Sequence, residues 1–249
     1  EVCQRCPVAL FKDSDPWPWR DAETGSRAGP ATSQAPGTTP ADILSLTDAN
    51  EQVLHLRNIP YDVWTKADIG TVDLAPYCRV IVASAQTDTF YEAVSSNRAW
   101  LESWVAAGGI LEFHGATAEI ESWAGMPMPG GWTMVEEMQN DVTVLRQDHP
   151  ILNRPNAIDP ATLDLWIYSS HGYLIDLPPI SRPIIASGPS GEPAMVEIAL
   201  GEGCVIATTQ PLEWGWLRGY SPLLENVILW PGGCTPDRLY LPVILRDYP

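Results

Sequence analysis

Several side chains in this sequence are of types and spacings that can do chemistry. Glu112 and His114 alternate within the apolar run ILEFH, so a regular strand turns both to the same face. Glu119 follows shortly after, and His171 lies in the segment YSSHGY. A histidine among carboxylates can move a proton or hold a metal. Glu213-Trp214-Gly215-Trp216 combines a carboxylate with two indoles, whose flat faces suit the apolar faces of a sugar ring. The candidates are therefore Glu112, His114 and His171 for catalysis, and Glu119, Glu213, Trp214 and Trp216 for ligand contact.

Each of these has a plainer reading. A single histidine at a strand end is more often a satisfied structural group, and tryptophans are more often buried or at interfaces. Asp148-His149-Pro150 reads as a turn. No metal or cofactor is expected. The Cys3-x-x-Cys6 pair lacks the second pair of a zinc site and is followed by Pro7, where haem attachment requires histidine. Gly108-Gly109 precedes its strand and cannot cradle a phosphate after one.

The elements that must position these residues alternate between strand and helix patterns. Short strands are predicted over 43–46, 61–64, 79–84, 110–114, 142–145, 183–186, 194–199 and 204–208. Asp48, with Glu51 three residues on, opens a helix that ends before Pro60. The clearest helix runs from Asp88 to Ala107, and another from Ser221 to Trp230. Strands separated by such helices imply a mostly parallel sheet. Ligands in open sheets of this kind bind beyond the carboxyl ends of the strands. Those ends fall at Thr47 and Asp48, Ser84 to Thr87, His114 to Thr117, and Thr209 to Trp214.

The two ends of the chain read differently. Residues 1–40 are rich in Pro, Gly, Ser and Thr and read as an N-terminal arm and linker, with Trp17 and Trp19 as anchors on a surface, either the protein's own or a partner's. Residues 233–249 form a short apolar tail in which Leu241 and Val243 are suited to association. A domain over 41–232 lies between them. The formal charge of −17, from 31 acidic against 14 basic residues, excludes nucleic acid as a partner. No apolar run is long enough to span a bilayer. The chain opens at Glu1 and reads as a processed, extracytoplasmic protein.

Five cysteines leave at least one unpaired within the chain. Cys3 and Cys6 read as a local disulfide. Cys204 starts a strand and Cys234 follows the next helix, so both lie at the same end of the sheet, with Cys78 as the competing partner. A Cys204–Cys234 bridge closes a loop of about 30 residues and adds about 3–4 kcal/mol in the chain-entropy model.

Several segments, taken in order, resemble a known family. They are Tyr77 to Ser84, LESWVAAGGILEFH over 101–114, Asp148-His149-Pro150-Ile151, the hairpin 194–208 with Gly201 and Gly203 at its turn, and the closing helix LLENVILW. Over 41–232 the chain is similar to the ThuA-like branch of the class I glutamine amidotransferase-like superfamily. The resemblance implies a three-layer α/β/α flavodoxin-like fold, and ThuA-like proteins are linked to sugar utilisation. Amidotransferases of this superfamily use a cysteine on a strand-to-helix elbow with a His-x-Glu pair. By order along the chain that elbow falls at Phe113 to Gly115, where His114 stands, and no His-x-Glu occurs. The resemblance thus implies a non-catalytic binding or structural subunit, assembling with a protein partner or itself through the arm or tail. A carbohydrate-binding or carbohydrate-processing protein is the alternative.

Overall fold

Apolar runs buried on both faces become the central strands β1, β3, β4 and β10, and helices with one apolar face cover them. The computed structural model describes residues 6–13, 48–117, 123, 125–164, 169–188 and 191–232. In chain order the elements are β1 (Val8–Phe11), α1 (Asp48–Leu56), β2 (Tyr61–Trp64), β3 (Arg79–Val82), α2 (Asp88–Ser96), α3 (Arg98–Ala106), β4 (Ile110–His114), β5 (Thr133–Gln139) and β6 (Val142–Val144). They continue with β7 (Ser170–Ile175), β8 (Arg182–Ser187), β9 (Glu192–Leu200), β10 (Gly203–Thr208), α4 (Leu212–Leu217) and α5 (Leu223–Leu229).

The main sheet has eight strands in the order β2-β1-β3-β4-β10-β9-β8-β6. β2, β1, β3, β4 and β10 are mutually parallel. β9, β8 and β6 extend it with antiparallel pairings. The parallel half has the strand order of a flavodoxin-like sheet, with its switch point between β1 and β3. Alternate residues of each strand feed two cores. Leu10, Ile81 and Ile206 pack with α1, α4 and α5 on one face, and Phe11, Val82 and Phe113 pack with α2 and α3 on the other. The small sheet of β5 and β7 also lies on the second face, through Met134 and Leu174.

Three expectations are corrected. Val8–Phe11 is not part of an arm but an interior strand, paired with β2 on one side and β3 on the other. Its four residues are buried, at most 2% exposed, because the run is just long enough to cross the sheet. The predicted helix over 88–107 is two helices that meet at Asn97, whose side-chain amide donates to the Ala93 carbonyl at 2.9 Å. Asparagine competes in this way with the helix's own ladder. Cys6 carries a thiol, not half of a disulfide. Its Sγ lies 3.9 Å from the Pro76 carbonyl, which precedes the neighbouring strand β3. Cys204, buried in β10, is disulfide-bonded. The strand expected at 43–46, together with Cys3, Cys234, Trp17, Trp19, Leu241, Val243 and Glu119, lies outside the described residues.

Candidate functional site

The carboxyl ends of β3, β4 and β10 meet the start of α4 in a closed polar cluster. Glu112 and His114 do share a face of β4, the face that packs under α1, α4 and α5. Glu213, in the first turn of α4, points inward rather than toward solvent. One of its oxygens, Oε1, receives three donors: the His114 Nδ1–H at 2.7 Å, the Asn50 side-chain amide at 3.0 Å and the Ser84 backbone N–H at 3.1 Å. Burial opposes ionisation of Glu213, but the His114 charge and these hydrogen bonds outweigh it and hold the carboxyl down to about 2.

On its other side His114 faces Glu112, with Nε2 at 3.6 Å from Oε2. Glu112 in turn forms an ion pair with Arg79 at the start of β3. The Arg79 guanidinium also donates to the carbonyls of Val227, at 3.3 Å, and Trp230. It thereby caps the C-terminal end of α5, where the helix dipole favours a cation. Glu112, His114 and Glu213 are each 0% exposed, so the line Arg79–Glu112–His114–Glu213 runs through the interior.

A second cluster repeats the pattern. The β-ladder aligns Ile81, Glu112, Ile206, Glu197 and Arg182 in one transverse row, which puts Glu197 two strands from Glu112 on the same face. His149 accepts the Ile151 N–H at Nδ1, so its Nε2–H points at Glu197 Oε2, 3.3 Å away. Arg146 approaches the same oxygen at 3.5 Å. Glu112 and Glu197 therefore each have one arginine and one histidine, and Trp230 connects the two groups, accepting from Arg79 and lying against the His149 ring.

Of the residues singled out from the sequence, Glu112, His114 and Glu213 are brought together. His171 is buried in a different setting: its Nδ1–H donates to the Thr117 carbonyl at 3.0 Å and its backbone N–H to Thr209. Burial pushes its pKa down to about 4, against the opposing pull of the Thr117 carbonyl. Trp216 packs partly buried against the first core, not as an open platform. Trp214 is half-buried, with Tyr220 at 5.2 Å and the Arg218 guanidinium at 5.8 Å from its ring. Asn50 and Arg79 were missed. Asn50 lies on the inward face of an otherwise apolar helix stripe, and Arg79 heads a buried strand. A polar residue at such a position is the available signal.

Among the described residues no group of three or more His, Cys, Asp and Glu could hold a metal ion, and no helix is long and apolar enough to cross a membrane. No family model matches the chain. An uncharacterized protein of Clostridium acetobutylicum, CA_P0160, is 31% identical over 174 residues, which are 67% of this chain and 17% of that protein. Among solved structures, the cytoplasmic protein STM1381 of Salmonella typhimurium LT2 is similar with a TM-score of 0.53 at 12% identity, covering 89% of this chain and 98% of that one. That likeness shows the fold. A glutamine amidotransferase from Thermotoga maritima is also similar, with a TM-score of 0.45 at 9% identity over 87% of this chain and 82% of that one.

Proposed function

We propose that this chain is a non-catalytic domain of the ThuA-like, glutamine amidotransferase-like type, serving as a binding or structural unit of an exported protein. The observation that carries this reading is the setting of His114. It stands where the family's elbow is expected, yet both its ring nitrogens face internal carboxylates, and Arg79 and Glu213 complete a closed line of charge. A general acid or base must reach a substrate proton, and both ring nitrogens of His114 are directed instead at buried carboxylates of the protein. The bonded Cys204 supports an oxidising compartment. The 17% coverage of the clostridial protein is consistent with a domain that works inside a larger architecture.

The test compares wild type with His114→Gln on chromogenic amide and glycoside substrates, with native mass measured in parallel. The expected result is no turnover by either protein and a marked fall in thermal stability for the variant. Turnover by wild type that vanishes in a folded His114→Gln protein overturns the reading and favours the carbohydrate-acting alternative.

A further inference from the structure

We infer that the closed strand edge contains an internal hydration site built by Asn50 and Glu213, with Gln210 three residues before Glu213 on the turn into α4. This does not depend on the functional reading above. All three residues are 0% exposed. The hydrogen bond from Asn50 Nδ2 to Glu213 Oε1 joins the two side chains at 3.0 Å. It leaves the other oxygen of each, Asn50 Oδ1 and Glu213 Oε2, without a protein partner. Two acceptors cannot satisfy each other. Gln210, on the turn that carries the chain from β10 into α4, has both Oε1 and Nε2 unpaired. Its backbone is engaged, the N–H donating to Thr208 Oγ1 and the carbonyl accepting from Leu212, while its side-chain amide has no protein partner.

Buried polar atoms in folded proteins are almost always paired, with protein or with ordered water. The unmet needs here select the ligand. Two oxygens of one linked pair require a donor, and the Gln210 amide, three residues before Glu213 in the sequence, has both a donor and an acceptor unmet. A water molecule, with two donors and two acceptor positions, meets that set, and internal waters typically make about three hydrogen bonds. A divalent cation fits poorly, because Glu213 is the one ionised oxygen donor in the set and its Oε1 is already saturated by three N–H groups.

The test is a crystal structure of the whole chain at a resolution that shows ordered water, paired with NMR detection of long-lived water at the Ser84 amide. That N–H donates to the same carboxylate and reports on the site. The expected result is a density peak within hydrogen-bonding distance of Glu213 Oε2 and Asn50 Oδ1, with a water-to-amide cross-peak at Ser84. Both should persist when sodium is exchanged for potassium or ammonium. An empty site with no cross-peak overturns the inference. So does a peak that follows the identity of the cation, since the occupant is then an ion.

Discussion

His114 Nδ1 lies 2.7 Å from Glu213 Oε1, and neither side chain reaches solvent. Removing His114 leaves the buried Glu213 carboxylate with only neutral donors, Asn50 and the Ser84 N–H, and removing Glu213 leaves His114 with only the longer approach to Glu112. Breaking a buried pair in this way costs about 3–5 kcal/mol. His114→Ala and Glu213→Ala are each expected to destabilise the domain by that order, measured by urea denaturation. The double substitution should cost clearly less than the sum of the two, and strict additivity would show that the pair is not coupled.

Acid should act in two stages. His171 has its pKa lowered from 6.5 to about 4 by burial, so the unfolded chain binds the proton more readily. Its contribution is fully present above about pH 6.5, is lost as pH falls from there toward 4, and amounts to about 3 kcal/mol. Glu213, held down to about 2, adds a second loss below its unfolded value near 4.5. Stability measured from pH 7 to pH 3 should fall through both windows, and His171→Gln should flatten the first. An unchanged first limb in that variant assigns the loss to another group.

Arg79 joins two elements that are distant in sequence, pairing with Glu112 and capping α5. Arg79→Met should therefore cost about 3–5 kcal/mol, and adding Glu112→Leu should recover part of it by removing the stranded carboxylate. Hydrogen exchange at the end of α5 should quicken in the single variant. If α5 protection is unchanged, the cap is not significant.

Gly203 opens β10 where an added Cβ would lie 2.0 Å from the Val105 carbonyl oxygen and 2.3 Å from that of Gly109. Both contacts are with backbone, which cannot swing aside. Gly203→Ala is expected to lower stability by about 1–3 kcal/mol, as for other overpacked sites. The neutral outcome in a melting experiment would show that α3 and β10 can separate at this point.

Parts of this arrangement were legible in the sequence because they are local. The alternation of Glu112 and His114 required only a period of two, and the hairpin of β9 and β10 was marked by Gly201 and Gly203. Val8–Phe11 was not legible as a strand: its burial comes from β2 and β3, some 50 and 70 residues on, while its neighbours are proline and cysteine. The inward turn of Glu213 was hidden for a related reason. The turn through Pro211 fixes which face of a six-residue helix meets the sheet, and a helix that short gives no reliable periodicity. The pairing of Glu197 with His149 depends on strand order alone, which no local pattern records.

Lys12 directly follows the first strand and Asp48 opens the first helix, and the ion pair between them spans 3.0 Å. The 34 residues 14–47 therefore start and finish at adjoining anchor points. The ion pair thus ties two points 36 positions apart in the sequence into one corner of the scaffold, where β1 and α1 are held together by charge as well as by the apolar core beneath them.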